Sequence, residues 1–260
     1  MTNQEIREIA VRQSAAELGC APADFSRREN VIVPAVRTPG ARRYLSLPYP
    51  AYMVSYGSNI VASVMPETEP VIRDYLAKYD TRFCFSQPNI HILHAALRPM
   101  GYGVCAASEY WLPDVNTLRP LPCKYETRIL TQADFAELYL PEWSNALCKK
   151  RAELDVLGVG AYENETLVGL AGCSADCDTM YQIGIDVLPE YRRQGIAAAL
   201  TSQLAAEILK RGKVPFYCCA WCNLPSARNA VRAGFRPAWT ETEVRDLDYI
   251  AQMNQERSGC

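Results

Sequence analysis

The segment at residues 185–197 constrains the fold more than any other part of the chain. It begins as an apolar strand and reaches Pro189, which has no N–H to donate to a sheet ladder. A short basic turn with Gly195 follows, and apolar residues then recur every four positions from Ile196, so that they share one helix face. The sequence therefore predicts a strand, a tight turn and a long helix over residues 196–210.

The predicted turn has the chemistry of an anion site. The first N–H groups of a helix lack intrahelical partners, and the helix dipole favours negative charge beside them. Gly195 lets the backbone approach an anion closely, and Arg192 and Arg193 add permanent positive charge. The residue order matches neither a nucleotide-triphosphate loop nor a dinucleotide fingerprint. It indicates a phosphate-binding turn of another kind.

The turn closely resembles the pyrophosphate loop of the GNAT superfamily of acyl-CoA-dependent N-acyltransferases. The matching residues are Arg192, Gly195 and Ala197, preceded by Val187 and Pro189. A second resemblance lies downstream, in a helix that opens with Asn223 and Ser226 and ends in Gly234 and Phe235. Because both motifs stand in the family's order and spacing, residues 121–260 are identified as a GNAT acyltransferase domain. The resemblance implies a mixed α/β sheet of the α+β kind.

The resemblance implies acetyl-CoA as cosubstrate, held where two parallel strands part, here residues 179–187 and 215–221. The backbone of Ile185 and Val187 would hold the pantetheine arm, and the N–H groups of residues 193–198 would hold the pyrophosphate. Asn223 would bond the arm from the other side. The residues assigned to the cosubstrate are Ile185, Asp186, Val187, Arg192, Arg193, Gln194, Gly195, Ile196, Ala197, Ala198, Asn223 and Ser226.

The resemblance also implies direct attack of a neutral amine on the thioester, with the backbone N–H near Val187 as oxyanion donor. The chain departs from the family at the proton-transfer positions. Tyr181 stands where many members carry an acidic base, so we expect a water chain to Asp178 or Asp176. Ala230 stands where many members carry a tyrosine acid. Either the thiolate leaves unassisted or a tyrosine, at residue 181 or 217, substitutes.

Composition excludes several other classes of function. The 260 residues are 49% hydrophobic and 22% charged, which is ordinary for a globular protein. A net charge of −2 favours neither nucleic acid nor an anionic membrane as partner. The sequence has no long apolar run and no signal-peptide pattern, so we expect a cytoplasmic protein. A homodimer is one assembly that the sequence leaves open.

Cysteine is unusually frequent. Because the 11 cysteines are odd in number and the chain is not small, a disulfide framework is not expected. The pairs Cys219/Cys222 and Cys173/Cys177 have spacings that occur in zinc sites, but their spacing lacks the usual arrangement of two matched ligand pairs. We therefore predict no metal and interpret the cysteines as small hydrophobic residues.

The first half of the chain has a different character from the second. The sequence predicts two domains: residues 1–120, an α/β domain that forms part of the acceptor cleft or a lid, and the acetyltransferase domain at 121–260. Gly101 and Tyr102 separate a helix from a strand as Gly234 and Phe235 do. This echo indicates that the first domain is a degenerate half-copy of the acyltransferase fold.

Periodicity and turn residues predict the remaining elements. We expect helices at residues 2–19, 69–79, 88–100, 131–138, 141–151, 196–210 and 225–233. We expect strands at residues 103–112, 124–130, 157–162, 166–173, 179–187, 215–221 and 236–244, with a strand pair at 52–64 and irregular chain at 30–50.

The sequence thus favours an enzyme that transfers an acetyl group from acetyl-CoA to a primary amine, on a small molecule. Two alternatives remain open at this point. One is a protein or peptide N-acetyltransferase, which needs an open groove for its acceptor. The other is a non-catalytic sensor that binds acyl-CoA, which the missing family acid and base favour.

Overall fold

Helices and strands follow one another along the chain much as the sequence predicts. The computed structural model describes residues 1–258, and of residues 256–258 the backbone alone. The helices are α1 (Asn3–Leu18), α2 (Glu69–Lys78), α3 (Gln87–Leu97), α4 (Ile196–Lys210), α5 (Leu224–Arg232) and α6 (Leu247–Ser258). The strands are β1 (Val31–Pro34), β2 (Ala51–Ser55), β3 (Val61–Val64), β4 (Tyr102–Pro113), β5 (Glu126–Thr131), β6 (Asp155–Glu163), β7 (Thr166–Ser174), β8 (Met180–Val187), β9 (Val214–Ala220) and β10 (Phe235–Asp246).

The chain divides into two compact units whose segments interleave. Unit 1 consists of Met1–Ala10 and Tyr110–Ala238. Unit 2 consists of Val11–Glu109 and, among the described residues, 239–258. Three elements, α1, β4 and β10, therefore contribute residues to both units.

Unit 1 is built on the strand order β4-β9-β8-β7-β6-β5. Strands β5 to β8 form an antiparallel meander, and β8 and β9 run parallel because the α4 crossover joins them. At the β6–β7 turn, Asn164 and Glu165 have φ of 47° and 66°, the left-handed backbone of a tight hairpin.

Helix α4 covers one face of the unit 1 sheet. Its apolar stripe is at most 2% exposed and packs against inward-facing residues of β6 to β9. Full burial of one such leucine or isoleucine stabilises the fold by about 1.5–3 kcal/mol. The stripe consists of Ile196, Leu200, Leu204 and Ile208. The long helix is therefore fixed along its length, with its first turn beside the end of β8.

Unit 2 has the strand order β1-β3-β2-β10-β4 and its own apolar core, to which α2 and α3 contribute. A charged cluster lies buried within this unit. The Arg42 guanidinium donates to Glu17 Oε1 at 2.6 Å and to Glu241 Oε1 at 2.7 Å, and all three side chains are at most 6% exposed. The cluster joins the C-terminal half of α1 to β10.

The structure differs from the predicted secondary structure at four places. Residues 131–138 form only a 3-10 turn at Gln132–Phe135, and residues 141–151 form separate 3-10 turns at Pro141–Trp143 and Lys149–Leu154 instead of helices. β1 interrupts the stretch expected to be irregular, and α6 was not expected.

Candidate active site

The parallel strands β8 and β9 separate toward their carboxyl ends. Their register runs from Met180 opposite Val214 to Ile183 opposite Tyr217 and goes no further, although β8 continues to Val187 and β9 to Ala220. Backbone groups past that point lack a neighbouring strand on this side and must find other partners.

The backbone groups that open onto the gap belong to Ile185 and Val187. Leu188 N–H bonds to Val168 O across the antiparallel β7–β8 pair, and Val214 N–H bonds to Thr179 O across the parallel pair. Because strand bonding alternates, even-numbered residues of β8 bond toward β7 and odd-numbered residues face β9. The two backbones that the family resemblance assigns to the pantetheine thus face the separation.

A cavity of about 640 Å³ occupies this separation. It is an open cleft with mixed polar and apolar walls. The residues that line it are Asn145, Gln182, Ile183, Gly184, Ile185, Asp186, Val187, Arg192, Ala197, Tyr217, Cys218, Cys219, Asn223, Pro225, Ser226 and Asn229. Seven of these, Ile185, Asp186, Val187, Arg192, Ala197, Asn223 and Ser226, are among the twelve residues that the sequence assigns to the cosubstrate.

The basic turn joins β8 to α4 through two left-handed residues. Arg193 has φ of 64° and Gly195 has φ of 84°, a conformation that glycine adopts without strain and arginine does not. The side chain of Arg192 folds back, and its Nε donates to Val187 O at 2.9 Å. That bond ties the turn to the end of β8.

The first turn of α4 presents backbone donors beside the cleft. The first intrahelical bond is from Ala199 N–H to Gly195 O, so the N–H groups of residues 196–198 precede the hydrogen-bonded part of the helix. Ile196 and Ala198 bury their side chains, leaving the backbone as the part that can meet a ligand. The side chain of Gln194 is bonded to a residue outside the cleft lining, since its Oε1 accepts from Tyr125 Oη at 3.0 Å.

The opposite wall of the cleft comes from β9 and the start of α5. Asn223 is the N-cap of α5, and its Oδ1 accepts from Ser226 N–H at 3.3 Å. The Ser226 and Tyr217 hydroxyls share a hydrogen bond of 2.8 Å. Burial raises the pKa of Tyr217, so this phenol remains protonated at neutral pH.

Two predicted catalytic side chains lie outside the lining of the cavity. Tyr181 packs against the apolar core below α4, and burial raises its pKa. Asp178 lies in the β7–β8 turn, where its backbone oxygen accepts from Lys213 Nζ at 2.7 Å. Asp176, the other predicted relay carboxylate, is fully buried and forms an ion pair with Arg151. Their catalytic roles stay predictions, and the structure brings only Val187 of the catalytic set to the cleft.

Sequence reasoning missed several residues that line the cleft. Gln182 and Cys218 lie on neighbouring strands, and Gln182 Nε2 donates to Cys218 Sγ at 3.1 Å. Asn145 comes from the segment expected to be helical, so no periodic or motif signal singled it out. For Gln182, the one available signal is that neighbouring side chains of a strand point to opposite faces, so Gln182 lies on the face opposite Tyr181.

Residues 1–258 contain neither a metal-binding cluster nor a helix suited to span a membrane. No group of three or more histidine, cysteine or acidic side chains in this range could hold a metal ion. None of the ten described cysteines forms a disulfide, and Cys260 lies outside the described residues. Within the same range, no helix combines the length and apolarity needed to cross a bilayer.

Known proteins provide an independent comparison. The sequence model of the family described as GNAT acetyltransferase matches residues 112–240. No curated protein sequence matches the chain. Among solved structures, a GCN5-related N-acetyltransferase from Kribbella flavida superposes with a TM-score of 0.52 at 16% identity, over 92% of this chain and 96% of that chain. This likeness shows the fold for nearly the whole chain.

Two further solved structures superpose less closely. An acetyltransferase of the GNAT family from Novosphingobium aromaticivorans has a TM-score of 0.42 at 22% identity, over 56% of this chain and 68% of that chain. An aminoglycoside N-acetyltransferase in complex with CoA has a TM-score of 0.36 at 17% identity, over 46% of this chain and 93% of that chain. Both values are too low to support a closer comparison.

Proposed function

Because residues 112–240 belong to the GNAT acetyltransferase family, we propose that the chain transfers an acetyl group from acetyl-CoA to the primary amine of a small molecule. The transfer is a direct attack within a ternary complex. The observation that carries the proposal is the separation of β8 from β9 directly beside the N-terminus of α4. This places unpaired peptide groups next to an anion site, and acyl-CoA has a peptide-like arm and a pyrophosphate to match them.

The proposed cosubstrate site follows from this arrangement. The N–H groups of residues 193–198, with the charges of Arg192 and Arg193, bind the pyrophosphate. The backbones of Ile185 and Val187 bond the pantetheine amides in place of a strand. The Val187 carbonyl already accepts a hydrogen bond from Arg192 Nε. The Val187 N–H is therefore the group that can donate to the developing oxyanion. Asn223 and Ser226 complete the site from the α5 side.

The reaction needs one group that takes a proton from the amine and one that gives a proton to the thiolate. The amine loses a proton as its nitrogen bonds to the acetyl carbon, and the departing thiolate gains one as the C–S bond breaks. Of the two tyrosines that the sequence leaves open for the second step, Tyr217 lines the cavity and keeps its proton. We therefore assign the acid role to Tyr217. For the amine proton, the route stays the one that the sequence predicts, a water chain to Asp178 or Asp176, neither of which lines the cavity.

Calorimetric titration with acetyl-CoA tests the cosubstrate site. Gly195→Glu places a carboxylate where the pyrophosphate is expected and should abolish measurable binding, because like charges repel at an anion site. Gly212→Glu is the matched control. Gly212 lies just past the other end of α4, has φ of 73°, and has open space around it. Tight binding by the wild type and by Gly212→Glu, lost in Gly195→Glu, supports the proposal.

Absence of acetyl-CoA binding by folded wild-type protein would contradict both the enzyme and the sensor interpretations. The sensor, which binds acyl-CoA without transferring it, is the second candidate because neither Tyr181 nor Asp178 lines the cleft. Binding without acetyl transfer to a broad amine panel would favour it. Acetylation of any amine in the panel would exclude it.

A further inference from the structure

The side chain of Asp186 holds a loop against the sheet. Its Oδ2 accepts the backbone N–H of Asn145 at 2.8 Å and of Ala146 at 2.9 Å. Its Oδ1 accepts the Asn145 side-chain Nδ2 at 2.7 Å. Carboxylate bonds to N–H groups are stronger than bonds between neutral groups. One carboxylate thus fixes both the backbone and the side chain of Asn145.

Two glycines let this loop lie flat on the strands. A Cβ on Gly184 would be 1.8 Å from Asn145 O, and a Cβ on Gly172 would be 2.2 Å from Ala146 O. Real Cβ atoms do not approach a carbonyl oxygen so closely, so glycine is needed at both positions. The close approach and the Asp186 bonds act together to place Asn145 at the edge of the cleft.

The hydrogen bond from Nδ2 also sets the orientation of the Asn145 carboxamide. Because its NH₂ group is directed at Asp186, its Oδ1 is the amide atom that remains to accept a hydrogen bond. The assignment of nitrogen and oxygen follows from the hydrogen-bond network, since a carboxylate only accepts. The cleft therefore has at this point a neutral acceptor whose direction is fixed.

Asn145 lies on the face of the sheet opposite α4. Ile183 and Ile185 pack with the core below α4, whereas Gly184 and Asp186 meet the loop, as strand alternation requires. The anion site is at the end of α4, so the proposed cosubstrate enters from one face. A nucleophile that attacks the thioester carbon comes from the other face, where Asn145 lies.

We propose that Asn145 Oδ1 accepts a hydrogen bond from the N–H of the acceptor amine, and that Asp186 is the positioning residue that directs it. This inference rests on the proposed acetyltransferase function and adds a binding group for its acceptor. A carbonyl oxygen that accepts one N–H directs the nitrogen lone pair without requiring the amine to be charged.

Asp186→Asn keeps the shape of the side chain but replaces one accepting oxygen by an NH₂ group that donates. The amide oxygen of the new side chain still accepts from the two backbone N–H groups, and its NH₂ now faces Asn145. The Asn145 carboxamide must then rotate to offer its oxygen to residue 186, which turns its own NH₂ toward the cleft. We expect the KM for the amine to rise about tenfold, and the acetyl-CoA affinity measured by calorimetry to change less, because the Asp186 carboxylate is bonded to the loop.

Three further variants separate this role from a merely structural one. Asn145→Ala removes the acceptor oxygen and should raise the amine KM about tenfold, and adding Asp186→Asn to it should have no further effect on KM. In the double variant Asn145→Asp with Asp186→Asn, the two side chains are exchanged. One oxygen at position 145 again faces the cleft, so the KM for the amine should return to the wild-type value. Glu142→Gln, an exposed carboxylate in the same segment, is the control and should leave KM unchanged.

The measurements use kanamycin, spermidine and tyramine as acceptor probes with the full-length chain. Unchanged amine KM in Asn145→Ala, or independent effects of the two single substitutions, would overturn the inference and leave the proposed function intact. If the wild type binds acetyl-CoA but acetylates neither these three amines nor any other amine of the broad panel, the acceptor role falls together with the proposed transfer. A raised amine KM in Asp186→Asn that the exchanged pair reverses supports the inference.

Discussion

At the scale of single residues, the cleft combines backbone groups set by strand separation with a few side chains whose chemistry their neighbours fix. Tyr217 is 3% exposed and bonded to Ser226, which holds its hydroxyl at the wall of the cavity. Tyr181, on the neighbouring strand, packs against the same core but does not line the cavity. The two phenols therefore offer a direct test of the assigned acid.

Tyr217→Phe should lower kcat for acetyl transfer about tenfold and leave the acetyl-CoA affinity unchanged. The reason is that the thiolate then leaves without a proton donor, a modest handicap for a thiol of ordinary pKa. Steady-state kinetics over both substrates measure the effect, and Tyr181→Phe is the matched control. Full turnover in Tyr217→Phe together with a loss of turnover in Tyr181→Phe would move the acid role to Tyr181.

Asp155 gives a prediction about pH. Burial raises the pKa of this carboxyl to about 6, so between its ordinary value of 3.8 and 6 the folded protein binds more protons than the unfolded chain. Stability therefore falls as pH rises through this window. Asp155→Asn does not titrate, so its stability relative to the wild type should increase by up to about 3 kcal/mol between pH 4 and pH 7.

Urea denaturation of both proteins at several pH values measures this difference. Asp134→Asn is the control, because hydrogen bonds from Thr131 lower the pKa of Asp134 and keep it ionised throughout this range. Its stability relative to the wild type should stay flat from pH 5 to pH 7. An equally flat result for Asp155→Asn would show that the buried carboxyl does not titrate as described.

At the scale of elements, the sequence identifies the long helix, the hairpins and the phosphate-binding turn, since their periodicity and glycine positions are local. It fails for the loop segments at residues 131–138 and 141–151, which form only 3-10 turns. The physical reason is tertiary. Asp186 and Gly184, distant in sequence, hold the second segment flat on β7 and β8 through contacts that no local pattern contains. For the same reason Asn145 could not be found from sequence.

Gly184→Ala tests how closely that loop must approach the sheet. The new Cβ would meet a backbone oxygen, so the loop must move, and we expect a loss of about 1–3 kcal/mol in the free energy of unfolding. Gly160→Ala on β6 is the control, because its Cβ would meet the side-chain ends of Leu167 and Tyr162, which can rotate. Denaturant melts of the two variants give the comparison. A cost in Gly160→Ala as large as in Gly184→Ala would contradict the backbone argument.

At the scale of the whole molecule, each unit is built from two separate segments of the chain. β10 supplies unit 2 with the partner strand of β2, from Thr240 opposite Ser55 to Val244 opposite Ala51. It also supplies Glu241, one of the two carboxylates that Arg42 pairs with. Sequence composition suggests a division into domains near residue 120, and this division stays a prediction. The compact units interleave through α1, β4 and β10. Whether the first half is a degenerate copy of the second stays a prediction.

A truncation after Ala238 should therefore unfold unit 2 and spare unit 1. β2 loses its neighbour and a buried charge cluster loses one member, a change that typically costs several kcal/mol. Amide hydrogen exchange followed by mass spectrometry should show lost protection in β2 and β3 and retained protection in β6 and β7. The control ends after Asp246, which keeps β10 whole. Protection of β2 that survives the shorter truncation would show that unit 2 does not need β10.

The interleaving of the units has a consequence for how the protein is made. A chain leaving the ribosome exposes β2 and β3 long before β10 exists, since residues 109 to 246 must still be synthesised. At ordinary elongation rates this delay is roughly ten to thirty seconds. During that time the apolar residues of unit 2 have no finished core, and an unpaired strand edge is open to other nascent chains. This chain should therefore depend on chaperones during translation more than a protein of equal size whose domains are contiguous.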